Sequence, residues 1–235
     1  MSRHNEQVMF SHKYLYPYLK QHIKNLDDLT VLVVGCGEGG VVGNFRSHGI
    51  ECEGLEINEK LIEGDFVMIG DITGMTRAIP LSAGKGYDLI IMRDTIEHIH
   101  VKWMAFHNIR CLLNNGGYLY ITFPPKHSAF AGHQQNLKTF LRYIPFVHLL
   151  PLWLLSLSGE EERRLWKVKN TYMVGMNISR FNTLTKRFNF VPVIKNYFIS
   201  RPVFRLRYGL PTIRGNKLFC MGCEFLMKLE NMEEK

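Results

Sequence analysis

Between residues 29 and 123 short apolar runs alternate with amphipathic stretches, and the two periods predict a succession of strands and helices. Val31, Leu32, Val33 and Val34 are apolar without a break and run into Gly35, the pattern of a parallel strand buried on both faces; the strand is predicted from Leu29 to Val34. Val41 to His48 predicts a short helix, which Gly49 closes. Ile50 to Ile57 predicts a second strand, and Asn58 to Gly64 is too short for an ordinary crossover helix. A third strand is predicted over Phe66 to Ile72, a helix over Thr73 to Ala78, a loop over Pro80 to Gly86 and a fourth strand over Tyr87 to Met92. Thr95 to Leu113 carries the strongest helical pattern, with Ile96, Ile99, Trp103, Phe106, Ile109, Leu112 and Leu113 on one broad face. Asn114-Asn115-Gly116-Gly117 then predicts a turn. Tyr118 to Phe123 predicts a fifth strand, which Pro124-Pro125 stop.

The flanks read differently. Asn5 to Asn25 has near-helical apolar spacing interrupted by Pro17, hence a kinked or two-piece helix. Asn177 to Phe188 predicts a helix, and Val191 to Ser200 and Leu218 to Leu229 alternate like strands. With no helix predicted between them, these two runs should pair antiparallel. The expected fold is therefore α/β, with a parallel sheet, helices on both faces and an antiparallel C-terminal pair. It is expected as one domain: an N-terminal helical segment (1–28), a core (29–123), an apolar helical cap inserted at 124–176, and a helix with two strands (177–235).

Composition narrows the setting. The 235 residues are 46% hydrophobic with a mean hydropathy of −0.08, ordinary for a soluble globular chain. No N-terminal signal pattern is visible, and the longest apolar run, Phe146 to Leu157, contains His148 and Pro151 and falls short of the ~20 residues a spanning helix needs. Five scattered cysteines suit a reducing cytoplasm better than a disulfide framework. Cys220 and Cys223 have redox or metal spacing, but on a strand residues three apart face opposite sides. The net charge is +8, and residues 160–217 hold thirteen Lys/Arg against three Glu. Such a basic face suits RNA, anionic lipid, an acidic acceptor or simple solvation.

Gly35-Cys36-Gly37-Glu38-Gly39-Gly40 links the first strand to a helix, an arrangement that brings backbone N–H groups close to a ligand. Gly35, Gly37 and Gly40 fit the dinucleotide pattern G-x-G-x-x-G, whereas Gly35, Gly37 and Gly39 fit G-x-G-x-G. Either template implies a cofactor containing adenosine. Glu56, 21 residues after Gly35, stands where a carboxylate can accept from both hydroxyls of a ribose. Gly70-Asp71-Ile72 suits an adenine site, the carboxylate accepting from the exocyclic amine and Ile72 covering the ring.

The parallel pattern that ends after five strands and closes with an antiparallel pair resembles the class I S-adenosylmethionine-dependent methyltransferases. The matching residues are Val31 to Gly39, Gly-Leu-Glu56, Gly-Asp71-Ile72, the run from Tyr87 to His98, and Asn115 to Ile121, where Glu97-His98 looks most like the small-molecule and quinone enzymes. The resemblance implies a seven-stranded Rossmann-like sheet, S-adenosylmethionine as cofactor, S-adenosylhomocysteine as product and a small-molecule acceptor. It places Gly35, Cys36 and Gly37 against the methionine part of the cofactor, and Glu56, with Ile57 next to it, at the ribose. Asp71 and Ile72 fall at the adenine, and Arg93 and Asp94 beside the sulfonium and its amino group. The chain departs from the family at Val33, where an acidic residue usually stands two before the first glycine; Asp94 or a water would have to substitute.

Chemistry in such sheets lies beyond the carboxyl ends of the strands, which selects Asp94, Glu97 and His98 after the fourth strand and Lys126, His127 and His133 after the fifth. Asp94, His98 and His133 are the candidate catalytic residues, and Lys126, His127, His133 and Gln134 the candidate acceptor contacts. On a helix Asp94, Glu97 and His98 would share one face and with His133 offer a metal site. The alternative, adopted as the expectation, is that the carboxylates favour the helix start and no metal binds. The stretch from Tyr143 to Leu155 reads as a lid, consistent with a hydrophobic or amphipathic acceptor; Arg142, Arg163, Arg164 and Lys167 would also suit shallow contact with a membrane, and a core or dimer contact fits equally. Monomer and homodimer both remain open. An RNA methyltransferase, a nicotinamide oxidoreductase and a non-catalytic cofactor-binding protein are the rival readings.

Overall fold

Strands with no polar face must be covered on both sides, and β1 (Thr30–Val34) and β4 (Tyr87–Arg93) accordingly lie side by side in the interior of the sheet. The computed structural model describes residues 2–62, 66–74, 86–129, 134, 137–166 and 175–230. Within them, β2 (Glu51–Glu56), β3 (Val67–Ile69), β5 (Leu113–Phe123), β6 (Phe190–Ser200), β7 (Ile213–Arg214) and β8 (Gly222–Leu229) complete an eight-stranded sheet of order β3-β2-β1-β4-β5-β8-β6-β7. β3, β2, β1, β4 and β5 are parallel, whereas β8 is antiparallel to both β5 and β6. The α/β class, the helices on both faces and the antiparallel closure match expectation. The strand count is eight rather than seven, because β7 adds a two-residue edge.

Alternate residues of β1 feed opposite cores. Leu32 and Val34 join Ile90, Leu119 and Phe225 under α4 (Lys102–Leu112) and α6 (Ile178–Arg187). Val31 and Val33 join Leu89, Ile91, Tyr120 and Leu226 under α1 (Arg3–Phe10), α2 (Tyr16–His22) and α3 (Gly40–Ser47). Between α1 and α2 a wider π turn, Ser11–Leu15, precedes Pro17, which lacks an N–H and crowds the carbonyl four residues back.

Five local expectations are corrected. The helix predicted from Thr95 starts only at Lys102; before it Asp94 is left-handed (φ 50°) and Ile96–His98 form a 3-10 turn. Asp94, Glu97 and His98 therefore do not share a helical face. Asn114 to Gly117 is not a free turn but the start of β5, because the Asn114 amide donates to Gly86 O (3.0 Å) and Asp88 Oδ1 (2.7 Å). A short helix, α7 (Pro202–Tyr208), stands between the two tail strands. β8 begins at Gly222, so Cys220 precedes the strand instead of lying on it, and its thiol points to Lys217 O (4.0 Å). The third strand is also shorter than predicted, pairing only Gly54 to Glu56 of β2. Most of the predicted Thr73–Ala78 helix lies outside the described residues.

The described residues of 124–176 include short helical turns and a small core of their own. Two 3-10 turns (Phe140–Tyr143 and Val147–Leu149) and α5 (Leu152–Ser156) bury Leu141, Val147 and Leu155 with Leu137 and Leu165. Among the described residues no helix is long and apolar enough to cross a membrane.

Candidate active site

Strand order reverses between β1 and β4, and the crevice beyond their carboxyl ends is where such sheets bind ligands. β1 ends there in the glycine loop. Gly35 and Gly37 have φ of 68° and 58°, which a side chain resists, and a Cβ on Gly35 would lie 2.4 Å from Thr95 Oγ1. Gly35 N–H donates to Leu55 O (2.8 Å), tying the loop to β2. At the end of β2 Glu56 is buried; its Oε2 accepts the Gly37 N–H (2.8 Å) and its Oε1 the Asn58 N–H (3.0 Å). The structure thus brings Gly35, Gly37 and Glu56 together at the ends of β1 and β2. Cys36 is buried beside them, and burial, followed by the Glu56 charge, pushes its thiol up to about 12, so it is no nucleophile. Ile57 is exposed next to Glu56.

At the end of β3 the Asp71 carboxylate is exposed and accepts the Thr73 N–H (2.8 Å). Ile72 is buried in the core under α4, and the Asn108 amide donates to its carbonyl (2.7 Å). Ile72 therefore shapes the wall more than it offers an open face.

β4 delivers Arg93 and Asp94. Asp94 receives its backbone bond from β5, donating N–H to Thr122 O (2.9 Å), and Thr122 Oγ1 donates to Oδ1 (3.1 Å). Arg201, just after β6, donates through Nη2 to both carboxylate oxygens (2.6 and 2.8 Å). Arg93 stands 4.0 Å away and lies over the Phe10 ring (4.2 Å). Burial alone would raise the Asp94 pKa; Arg201 and then Arg93 outweigh it and hold the carboxyl below its ordinary range. Asp94 is consequently an anion, not a proton carrier, near neutrality.

Glu97 behaves oppositely. It is buried, its Oε2 has no hydrogen-bond partner, and burial followed by the Asp94 charge raises its pKa well above the usual carboxylate range. His98 Nε2 lies 3.8 Å from Glu97 Oε1, and burial lowers the imidazole's pKa, leaving it neutral at pH 7. His133 lies outside the described residues. Among the described residues no three His, Cys, Asp or Glu side chains are grouped to hold a metal.

Lys126 and His127 follow β5 and share a cleft with Ser128, Asn177, Ser179 and Lys217. Gln134 is not brought to it. Its amide is buried in the cap, Nε2 donating to Leu141 O (3.2 Å) and Ile144 O (2.6 Å), with Oε1 3.2 Å from His148 Nδ1.

Two groups of residues escape sequence reasoning. Arg201 is one: 107 positions from Asp94, it was part of a basic tail with nothing to mark it. Gly222 carries a trace of the signal, since a Cβ there would meet Arg201 Cδ at 2.6 Å, so the glycine lets the guanidinium arm lie across β8. The other is the N-terminal helix, which lies on the glycine loop: Gln7 Oε1 accepts the Gly40 N–H (2.9 Å), and His4 N–H donates to Glu38 Oε2 (2.5 Å). Beside it Tyr14 and Tyr120 donate to the buried Glu224 carboxylate (3.0 and 2.7 Å), which also accepts from the Asn196 amide (3.0 Å).

The sheet order, the glycine loop and the Glu56 carboxylate define a class I, S-adenosylmethionine-dependent methyltransferase. A family model described as a methyltransferase domain matches residues 8–190, and the chain belongs to that family. No curated protein matches the chain. Solved structures with the same fold include an S-adenosylmethionine-dependent methyltransferase of Thermotoga maritima, described as a possible histamine N-methyltransferase (16% identity, 97% of this chain and 94% of that one, TM-score 0.55). Another is magnesium protoporphyrin IX methyltransferase of Synechocystis with bound S-adenosylmethionine (13%, 97% and 80%, 0.54). A third is a plantazolicin methyltransferase in complex with a desmethyl substrate analogue and S-adenosylhomocysteine (12%, 98% and 86%, 0.55).

Proposed function

We propose that this chain moves the methyl group of S-adenosylmethionine to a small acceptor with an apolar body, acting as one catalytic unit with a cap over residues 124–176. The observation that carries the reading is the buried Glu56 carboxylate facing the Gly37 N–H at the reversal of strand order. Gly35 and Gly37 leave backbone free of side chains beside the buried Glu56 carboxylate, which accepts hydroxyl hydrogens, so the residues present fit the cofactor. S-adenosylmethionine, when bound, supplies an electrophilic methyl group on a positively charged sulfur. Gly35 to Gly37 present backbone to it, Glu56 holds the ribose diol, and Asp71 and Ile72 border the adenine. Asp94, kept ionised by Arg201, places a negative charge for the amino-acid end and takes over the task that Val33 cannot perform.

Methyl transfer from sulfur is an in-line displacement, so orientation supplies much of the rate. Where the acceptor must lose a proton, neutral His98 is the group able to take it, with His133 as the second candidate. Lys126 and His127 hold the polar end of the acceptor. Apolar-bodied and heterocyclic acceptors, like those named for the protoporphyrin and plantazolicin enzymes, suit a cap rich in leucine and aromatics. A cytoplasmic setting agrees with five free thiols.

Calorimetry with S-adenosylmethionine and S-adenosylhomocysteine tests the cofactor: binding is expected in wild type and lost in Glu56→Ala. No heat in wild type, with Glu56→Ala indistinguishable from it, refutes the proposal. Labelled methyl donor with lysate fractions, read by mass spectrometry, then identifies the acceptor.

A further inference from the structure

The described residues of the cap divide their apolar side chains unevenly. Leu137, Leu141, Val147, Leu155 and Leu165 close its small core. Many others face solvent: Phe140, Tyr143, Leu149, Trp153, Leu157 and Trp166 are all exposed, Trp153 at 67% and Leu157 at 75%. In α5 only Leu155 is buried, although four of its five residues are leucine or tryptophan. Internal packing does not account for these positions, and a helix facing only water would carry polar residues there.

Charge says what covers the face. From residue 138 to 159 the charged side chains are Lys138 and Arg142, both cationic. Of the acids that follow, Glu160 is buried, its Oε2 turned inward to accept the Lys138 and Thr139 N–H groups (2.7 and 2.9 Å), whereas Glu161 and Glu162 are exposed, Glu161 paired with Arg164 (2.9 Å). The face is thus apolar, with Lys138, Arg142, Arg163 and Arg164 outnumbering the exposed Glu161 and Glu162 at its margin, and part of a chain of net charge +8. Tryptophan and tyrosine beside leucine, with lysine and arginine at the margin, is the composition that settles at the boundary of headgroups and acyl chains. We propose that the outer face of the cap docks this protein on an anionic lipid bilayer. The cap is joined to the body near the end of β5 through Phe146 N–H to Ala129 O (2.6 Å) and Ala129 N–H to Leu218 O (2.8 Å), so the docked face neighbours the cleft of Lys126 and His127. The proposal stands without the methyl-transfer reading.

Flotation with vesicles of phosphatidylcholine, alone or with about one third phosphatidylglycerol, tests it. Wild type is expected to rise with the anionic vesicles, and Trp153→Ser/Leu157→Ser/Trp166→Ser to lose binding at least about ten-fold, with unchanged affinity for S-adenosylhomocysteine. As a measurement that needs no destabilising change, a Trp103→Phe variant should show emission quenched by brominated acyl chains. Failure of wild type to float, or flotation undiminished in the triple variant, overturns the proposal. So does a dimer by sedimentation that the triple substitution dissolves while wild type ignores vesicles.

Discussion

Replacing Arg201 with leucine tests the electrostatic logic of the site. The arginine makes two charge-assisted bonds to Asp94 (2.6 and 2.8 Å), whose side chain is 30% exposed, and Arg93 remains 4.0 Å away. Removing one partner of a fully buried pair costs about 3–5 kcal/mol. Partial solvation and the second cation reduce this, giving roughly 2 kcal/mol. For a domain of this size that corresponds to a fall in Tm of about 4–8 °C at pH 7. The loss depends on pH. In wild type the folded pKa of Asp94 is depressed, so its contribution is full above the unfolded value near ~3.9 and disappears as pH falls through the folded one. Without Arg201, Asp94 is penalised only while ionised, so the difference between wild type and variant should shrink as pH falls toward 4. Thermal unfolding from pH 8 to 4 measures this, with Asp94→Asn/Arg201→Leu closing the cycle and recovering most of the loss. A difference independent of pH, or an additive double variant, would refute the reasoning.

Three further outcomes follow from the same geometry. Glu97→Gln should raise Tm, and more at pH 8 than at pH 5: a carboxyl whose folded pKa is raised stabilises below its unfolded pKa and loses that contribution as pH rises, a loss the amide avoids. Equal effects at both pH values would contradict a buried neutral acid. Gly35→Ala combines φ of 68° with a clash against Thr95 and should cost about 1–3 kcal/mol by denaturant titration, as well as cofactor affinity by calorimetry. Gly222→Ala should move Arg201 off Asp94 and reproduce the pH-dependent part of the Arg201→Leu phenotype, whereas Gly43→Ala, on a helix with open space around it, should leave that profile unchanged.

The core strands are legible because central parallel strands are apolar at nearly every position, and β1 and β4 fall within a residue or so of their predicted bounds. What escapes depends on partners far along the chain. The helix after β4 is delayed because Thr122 and Arg201 hold Asp94 left-handed, and no periodicity in residues 94–113 encodes residues 122 and 201. Asn114 to Gly117 has the composition of a turn, yet an amide bonded to Gly86 and Asp88 draws it into β5. Gln134 reads as an acceptor contact, but a glutamine can equally satisfy carbonyls inside a small apolar core, as here. The glycine loop and Glu56 are readable because close backbone approach and ribose binding constrain local sequence; the cation that balances Asp94 is not, because any arginine that reaches it will serve.

The Glu224 carboxylate joins Tyr14, 210 residues away, to the last strand of the sheet. β8 lies between β5 and β6, so the sheet cannot close until the end of the chain is inserted between strands made earlier. During synthesis the N-terminal helix has its core neighbours long before it has this anchor. Contacts of such sequence separation slow folding through the entropy of closing the loop. A nascent chain paused before residue 222 would therefore expose the open edges of β5 and β6, which is the stage at which a chaperone has most to shield.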